Sequence, residues 1–316
     1  MITLFSEPSL YPWFQLYKYL KNIVKKLIGK EILPYSGHFA VMRSIIIGLS
    51  ELNVPFVYNP GIIKRYQHVH VFANTSAVKM AILFKRLGLI KYLTVGPNLV
   101  ISSADENGLL ASKHIDKVLV PSNWVREVYL IDNENLQPEK VGVWPAGVDV
   151  KYWNIEKKND PAVNRFLFYI KRPEKNMLKA CEDIAAKYNI QIAKIVHGKY
   201  QLPDFRNELT KADCVVYFVE QESQGIALSE IWATNTPTFV WNPQIWHYKM
   251  KNYKCSSAPY LTKETGAFFR DADDFEALIN DFISNKLMFN PREYTISHFA
   301  DIVTANRFLK EVAYES

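Results

Sequence analysis

Short apolar runs alternate with amphipathic segments along this chain of 316 residues, and this alternation limits the available folds most. In the first half, residues 1–5, 68–73 and 92–95 have the apolar character of strands, and residues 36–52 and 75–88 have helical spacing. A strand–helix–strand order places parallel strands in one sheet with helices on its faces. The sequence therefore predicts an α/β fold with a parallel sheet.

The same alternation restarts after residue 150, with apolar runs at 165–170 and 214–219. We therefore expect two Rossmann-like α/β domains. Ligands of open α/β sheets bind beyond the carboxyl ends of the strands, so two such domains facing each other would form a cleft with a binding edge on each wall. The polar segment 156–164 contains proline and is interpreted as the linker. The predicted domains are residues 1–155 and 156–316. A single long amphipathic helix is expected over 296–315, and its packing against the first domain is left open.

Composition excludes several classes of protein. Hydrophobic residues make up 48% and charged residues 22% of the chain, which is typical of a globular protein and not of a disordered one. Its three cysteines are widely spaced and form no metal or disulfide pattern, which favours a reducing compartment. The sequence has no secretory signal, and no apolar run approaches the roughly 18 residues of a membrane-spanning helix. We therefore predict a cytoplasmic protein.

The net charge of +6 is unevenly distributed, because five lysines lie between residues 9 and 33. Trp13, Tyr17 and further apolar residues in this segment fall at helical spacing, with most of the lysines elsewhere around the helix. A basic amphipathic helix of this kind binds anionic membrane surfaces. Peripheral contact of residues 9–30 with the inner face of the membrane is therefore one prediction. The alternative is an ordinary surface helix that packs its apolar stripe on its own domain.

Two glutamates follow the apolar run 214–219, in the stretch ESQGIALSE. Glu222 is expected in the loop after the strand, Gly225 at the start of a helix, and Glu230 in its second turn. The N–H groups of the first helical turn suit an anion such as phosphate, and carboxylates accept hydrogen bonds from sugar hydroxyls. Solvated acids on an amphipathic helix are the alternative explanation.

Cations follow the earlier strand 165–170, where Lys171, Arg172 and Lys175 occur within FLFYIKRPEKN. Arginine offers a planar fork and lysine a point charge, and both neutralise a diphosphate. Cations at a helix start oppose the helix dipole, which favours a functional reason for their position. A solvated loop is the alternative.

These segments together resemble a known family. ESQGIALSE resembles the E-x7-E motif of retaining glycosyltransferases with the GT-B fold, and is most similar to glycosyltransferase family 4. Further resemblances follow in order over residues 36–310. In the first domain, SGHFAVMRSIIIGLSELNVPFVY resembles the family's first glycine loop with its helix and strand, and HIDKVLVPSNWVREVY resembles the end of that domain. The segment VWPAGVDVKYWN resembles the connection into the second domain. In the second domain, YIKRPEKN resembles the phosphate-binding segment, and IVHGKYQLPDF resembles the loop before the donor helix.

The resemblance implies a hexosyltransferase-type enzyme that moves a sugar from a nucleotide-diphosphate sugar to a hydroxyl of a glycan or lipid-linked acceptor. It implies no cofactor and no metal. Glu222 would contact the donor sugar and Glu230 the ribose, while Arg172 and Lys175 would stabilise the leaving diphosphate. The remaining donor-binding residues that it implies are Ser223, Gln224, Gly225, Ile226, Lys171, Gly37 and His38.

The chain departs from the family pattern at three places. Ile170 stands where an arginine is common, five residues before the lysine, so Lys171 or Arg172 must take that role. Gly96, Pro97 and Asn98 replace a common histidine, which puts a histidine contact with the donor sugar in doubt. Residues 7–33 are an insertion between the first strand and the glycine loop.

Other residue patterns have weaker functional interpretations. Asp271 and Asp273 look like a D-x-D metal motif, but capping of the following helix explains them well. His68 and His70 point to the same side of a strand, and packing or acceptor contact is favoured over a metal site. Asp105 and Asn98 are, like His70, candidate contacts with the acceptor or the sugar, and a solvated loop is the favoured explanation for Asp105. A final group consists of aromatic residues past a strand end, which either stack on a base or sugar or belong to the core or surface: Trp241, Trp246, His247 and Tyr248.

Two other functions remain open. A nucleotide-sugar epimerase of the same architecture would need no acceptor. A catalytically degenerate subunit that only binds sugar nucleotides would fit the missing histidine. Nucleic acid is a poor fit as a partner, because the lysines are confined to one amphipathic segment and no aromatic-basic platform for single strands is evident.

Overall fold

The computed structural model describes residues 1–15, 17, 37–72, 74–158, 163–172 and 174–312. The chain divides into two compact units. The first consists of Met1–Ala146 together with the segment that begins at Thr304, and the second is Gly147–Val303.

The division falls between Ala146 and Gly147, whereas the sequence placed the boundary after residue 155. Residues just after this division pack within the second unit. The Val148 N–H donates to the carbonyl of Phe299 at 2.8 Å, and the Trp153 ring lies edge-on to a buried phenylalanine of the same unit. These contacts place Val148 and Trp153, which the prediction had put in the first domain, in the second unit.

A six-stranded sheet forms the first unit. Its strands are β1 (Ile2–Phe5), β2 (Phe56–Tyr58), β3 (Tyr66–Val71), β4 (Ile90–Val95), β5 (Lys117–Val120) and β6 (Val141–Val143). Three longer helices accompany them: α1 (Gly37–Glu51), α2 (Thr75–Arg86) and α3 (Asn123–Asp132). The strands run parallel in the order β2-β1-β3-β4-β5-β6. Their central residues are buried against α2 and α3, as expected of a parallel sheet covered by helices.

The second unit has a five-stranded parallel sheet and a small antiparallel hairpin. Its strands are β7 (Arg165–Lys171), β8 (Gln191–Val196), β9 (Cys214–Val219), β10 (Thr238–Trp241), the hairpin strands β11 (Ile245–Tyr248) and β12 (Lys251–Lys254), and β13 (Gly266–Phe269). Its helices are α4 (Lys175–Lys187), α5 (Leu202–Lys211), α6 (Ile226–Ala233), α7 (Ala272–Ile283) and α8 (Pro291–Phe299). The sheet order is β13-β10-β9-β7-β8. The central strand β9 is buried at every residue, which explains its unbroken apolar sequence.

The C-terminal prediction of one helix over 296–315 is wrong. α8 ends at Phe299, and a separate helix, α9 (Asp301–Glu311), follows. Between them Ala300 is extended, with φ −56° and ψ 144°, and pairs as a parallel bridge with Val148. The apolar spacing continues across this break, so periodicity alone does not reveal it. The last four residues of the chain lie outside the described ones.

Most of the predicted basic amphipathic helix also lies outside the described residues, because they omit 16 and 18–36. Residues 12–15 and 17 are helical. Within the part of the chain that is described, no helix is long and apolar enough to cross a membrane.

Candidate functional site

Three segments of the second unit meet at one edge of its sheet. Ile170 of β7 is paired with Val196 of β8, and Lys171 of β7 with Val219 of β9. The three strands therefore end side by side, and the loops that follow them share the carboxyl edge. This edge is where ligands of open α/β sheets bind.

An ion pair lies at this edge. Lys171 Nζ is 2.5 Å from Glu222 Oε1, and the two side chains are 28% and 12% exposed. The Tyr217 hydroxyl donates to the same carboxylate oxygen at 3.2 Å. Glu222 is thus held by two donors that come from different strands.

The backbone around Glu222 is held by hydrogen bonds to residues 256–257. The Glu222 N–H donates to the Ser256 carbonyl at 2.9 Å, and the Ser257 hydroxyl donates to the Glu220 carbonyl at 3.0 Å. These bonds fix the loop that carries the glutamate, so the position of its carboxylate does not depend on the ion pair alone.

Stacked tyrosines lie beneath the ion pair. Tyr169 and Tyr217 are register partners on β7 and β9, and their rings stack with centroids 4.8 Å apart and an angle of 10°. The Tyr169 hydroxyl is 2.6 Å from His197 Nδ1 and 3.3 Å from the Tyr200 hydroxyl. This links the residues after β8 to the residues of the central strands.

The pKa shifts of these groups reflect burial and the nearby carboxylates. Burial raises the pKa of Tyr200 to about 12, with further contributions from the charges of Glu230 and Glu222. Burial also raises the pKa of Tyr169, and the same two carboxylates add to the shift. The charges of Glu222 and Glu230 thus act in the same direction on both hydroxyls.

The helix α6 begins directly after this loop. Gly225 caps it in the left-handed region, with φ 83° and ψ 56°. A Cβ at this position would lie 2.8 Å from Leu228 Cδ1, and L side chains rarely adopt this backbone conformation. Gln224 and Gly225 are buried, while Ser223 and Ile226 are partly exposed. The glycine thus permits the tight entry from strand edge to helix that the sequence predicted.

Glu230 is only 2% exposed. It lies within α6, which packs against α8. Glu230 is therefore not a solvated acid on the helix surface. A ligand that bound this carboxylate would have to reach a buried group.

The other predicted cations lie along the same edge. Arg172 has a left-handed backbone, φ 57°, and an exposed side chain. Lys175 is the first residue of α4, whose N-terminus is capped by Glu174 through bonds from the Asn176 and Met177 N–H groups at 3.0 and 2.6 Å. This cap offsets the repulsion between Lys175 and the helix dipole.

Ile170 lies in the hydrophobic core on the other side of the sheet. Because side chains alternate along a strand, Ile170 and Lys171 point to opposite faces. Lys171 therefore takes the position beside Glu222, and Arg172 stands one residue further out.

The candidates of the first unit are placed separately. Gly37 and His38 begin α1 and are exposed. His70 is 1% exposed, and its Nδ1 is 2.7 Å from the Thr94 hydroxyl. Asn98 has a left-handed backbone, and Asp105 accepts from the Ser102 N–H at 2.9 Å. Their contacts with donor or acceptor stay predictions.

The weaker patterns have structural explanations. The Asp271 carboxylate accepts from the Asp274 N–H at 2.9 Å and caps α7, as the capping interpretation predicted. Trp241 is 7% exposed and belongs to the core. Trp246 and Tyr248 stack on one another in the hairpin, with centroids 4.9 Å apart. Among the described residues, no group of three or more His, Cys, Asp or Glu is arranged to hold a metal ion.

Sequence reasoning missed the tyrosines and His197. Tyr169 and Tyr217 are polar-tipped residues inside otherwise apolar strands, which is a usable signal because a buried tyrosine hydroxyl needs a partner. His197 directly follows β8, and a polar residue at the carboxyl end of a strand is a candidate for ligand contact.

Comparison with known proteins supports the fold. No protein-family model matches the chain, and no curated protein matches it. Among solved structures, the lipopolysaccharide outer core galactosyltransferase WaaB in its apo form is 12% identical, with 99% of each chain covered and a TM-score of 0.62. HepE from Anabaena in complex with UDP-glucose is 12% identical, with 100% of each chain covered and a TM-score of 0.59.

A third similar structure is sucrose-phosphate synthase from Thermosynechococcus elongatus, which is 13% identical, with 98% of this chain and 97% of the other covered and a TM-score of 0.53. At such low identities the similarity shows the fold alone. The chain has the GT-B fold, with a Rossmann-like sheet in each unit, and this prediction is confirmed.

Proposed function

We propose that the protein is a retaining glycosyltransferase of the family 4 type. It moves a hexosyl group from a nucleotide-diphosphate sugar to a hydroxyl of a glycan or lipid-linked acceptor. The observation that carries the proposal is the Lys171–Glu222 pair beside the start of α6, at the carboxyl edge of the sheet. The similar structures agree with it, since one is named a galactosyltransferase and another is in complex with UDP-glucose.

The donor site combines cations, backbone donors and carboxylates. The charge of Lys171 is balanced by Glu222, which leaves Arg172 and Lys175 to balance the diphosphate. The first N–H groups of α6 add a partial positive charge. Glu222 accepts from hydroxyls of the sugar, and Glu230 accepts from the ribose.

Catalysis rests on positioning and on stabilising the departing diphosphate. The bond between the anomeric carbon and the β-phosphate oxygen breaks, and its electron pair leaves with the diphosphate. The acceptor oxygen forms a new bond on the same face, and its proton passes to the leaving phosphate oxygen. Arg172 and Lys175 stabilise the developing negative charge without a metal ion.

The surface of the first unit supports peripheral membrane contact. Trp13, Ile62 and Ile63 are 62%, 71% and 53% exposed. The two segments that carry them are neighbours, since the Ser9 hydroxyl donates to the Pro60 carbonyl at 2.8 Å. Aromatic and aliphatic side chains beside basic residues suit an anionic lipid surface, and residues 64 and 65 are Lys and Arg.

A transfer assay tests the proposed activity. UDP-, GDP- and ADP-linked sugars are supplied with and without a panel of glycan and lipid-linked acceptors, and the free nucleotide and the anomer of the product are measured. We expect acceptor-dependent release of nucleotide from one donor class and a product of retained configuration. Epimerised donor without acceptor would identify an epimerase, and donor binding without turnover on any acceptor would favour a degenerate subunit.

A further inference from the structure

We propose that His197 is an additional donor-binding residue. Its Nε2–H donates to a phosphate oxygen of the nucleoside diphosphate, and Tyr169 is the positioning residue that holds the ring. This inference rests on the proposed function, because it assumes that a nucleotide-linked sugar binds at the carboxyl edge of the second unit.

The location of His197 is fixed by the sheet. The residue follows β8 directly, and its N–H donates to the Ile170 carbonyl at 2.9 Å, which extends the pairing of β7 and β8 by one step. Lys171 is the next residue of β7, so the histidine and the Lys171–Glu222 pair stand at neighbouring strand ends. The His197 side chain is nevertheless exposed and therefore accessible to a ligand.

The Tyr169 hydroxyl determines which ring nitrogen faces that ligand. It lies 2.6 Å from Nδ1, and the unprotonated nitrogen of a neutral imidazole accepts a hydrogen bond from a hydroxyl. In the proposed arrangement the phenol donates to Nδ1, and the neutral ring carries its proton on Nε2. The Tyr200 hydroxyl, 3.3 Å away, then donates to the Tyr169 oxygen. In this row of hydrogen bonds both tyrosine hydroxyls and the His197 Nδ1 have a partner.

Partial desolvation and the neighbouring cations favour the neutral ring. Although the His197 side chain is accessible, the surrounding residues desolvate part of its ring, which lowers its pKa. The positive charges of Lys171 and Arg172 lower it further, while the charge of Glu222 acts in the opposite direction. The imidazole is thus a neutral donor beside two cations. A diphosphate bound here would gain a hydrogen bond without additional repulsion among the cations.

A purely structural role explains the arrangement less well. Tyr169 is 1% exposed, so its hydroxyl needs a partner within the protein, and the Tyr200 hydroxyl already lies within reach. An exposed histidine is not required to fill the core. The directed hydrogen bond instead restricts an exposed ring to one orientation, which is how positioning residues lower the cost of ligand binding.

Calorimetric titration of the full chain tests the proposal. The probes are UDP, GDP and ADP, and the nucleoside of whichever diphosphate binds. For His197→Ala we expect about tenfold weaker binding of the diphosphate and unchanged binding of the nucleoside. His197→Gln retains an N–H donor and should recover part of the loss. His298→Gln is the matched control, because His298 lies in the same unit and its Nδ1 also has an oxygen partner, the Tyr294 carbonyl at 2.9 Å.

Tyr169→Phe tests the positioning role separately. It should weaken diphosphate binding several-fold, and the ¹⁵N shifts of His197 should lose the pattern of a single Nε2–H tautomer. A merely structural tyrosine would leave those shifts unchanged, and that outcome would overturn its assigned role.

Glu230→Gln separates failure of this inference from failure of the proposed function. If His197→Ala binds the diphosphate like the parent while Glu230→Gln does not, the histidine assignment is wrong and the donor site remains. An equal loss for nucleoside and diphosphate also overturns the phosphate contact. If the parent binds no nucleoside diphosphate, the proposed function fails and this inference fails with it.

Discussion

Lys171 and Glu222 are brought together by the parallel pairing of β7 and β9, with Nζ and Oε1 2.5 Å apart. Both side chains are mostly buried, and Glu222 also accepts from Tyr217. The ammonium group therefore has a defined position at the carboxyl edge, unlike that of a flexible surface lysine. In our account this fixed charge holds the Glu222 carboxylate where it accepts from hydroxyls of the donor sugar.

Replacing Lys171 with methionine removes the charge and keeps most of the apolar stem. We expect kcat for sugar transfer to fall on the order of 10²-fold, the typical effect of losing one preorganised electrostatic group. Donor binding should also weaken, since Glu222 is left without its counter-charge near the diphosphate. Steady-state kinetics with the preferred donor measures both effects.

Lys194→Met is the matched control for that experiment. Lys194 belongs to β8 of the same unit and also forms a lysine–glutamate pair, 2.8 Å from Glu182 on α4. Its loss should leave kinetics unchanged, because that pair lies on the face of the sheet opposite to Lys171. Equal effects of the two substitutions would show that the Lys171 pair only stabilises the fold.

Much of this site could be predicted from local sequence. The boundaries of β9 and the start of α6 were predicted correctly, because a continuous apolar run followed by glycine has few other interpretations. The pairing of Lys171 with Glu222 could not be predicted in this way. It depends on which strands are neighbours, and strand order is not a property of local spacing.

Long-range structure also explains the other differences. The stack of Tyr169 on Tyr217 follows from register, which no single strand specifies. The helix break at Ala300 depends on its bridge to Val148, far earlier in the chain. In both cases the local pattern is consistent with the structure but does not determine it.

Exposed apolar residues of the first unit predict binding to anionic vesicles. The combined substitution Trp13→Ala and Ile62→Ser should reduce binding to phosphatidylserine-containing vesicles about tenfold or more, because each buried apolar side chain contributes about 1.5–3 kcal/mol. Sedimentation with vesicles measures the effect, and purely zwitterionic vesicles should bind weakly throughout.

Leu87 and Ile131 provide the control for the vesicle experiment. They are similarly exposed, at 63% and 69%, but are not part of the segments 9–17 and 60–65. Leu87→Ser with Ile131→Ser should bind vesicles like the parent. Loss of binding in this control, or its retention after the Trp13 and Ile62 changes, would contradict the membrane surface.

Because the imidazole of His70 is buried, we predict that the stability of the folded protein decreases in acid. Burial lowers its pKa from 6.5 to about 3, and the nearby Gly96 backbone acts in the opposite direction. Between these values the unfolded chain binds more protons than the folded one, so the free energy of unfolding falls as pH decreases. From pH 7 to pH 5 this contribution amounts to about 2 kcal/mol.

The substitution His70→Phe should remove that contribution. Its ring would lie among Phe72 and Phe308, which already contact the imidazole edge-on. Thermal unfolding followed between pH 7 and pH 5 should show a shallower decline for this variant than for the parent, whereas a change at the exposed His247 should leave the decline as it is. Parallel pH profiles for His70→Phe and the parent would refute the linkage.

The central claim is that the second unit binds a nucleotide-diphosphate sugar through Glu230 and the adjoining loop. Its most direct test is calorimetric titration of the parent, Glu230→Gln and Glu220→Gln with the preferred UDP-, GDP- or ADP-linked sugar. Glu220 is the control, since its side chain is exposed two residues before Glu222. We predict parent-like binding for Glu220→Gln and at least tenfold weaker binding, on the order of one lost charged hydrogen bond, for Glu230→Gln with an unchanged melting temperature. Equal affinities in all three proteins would contradict the account.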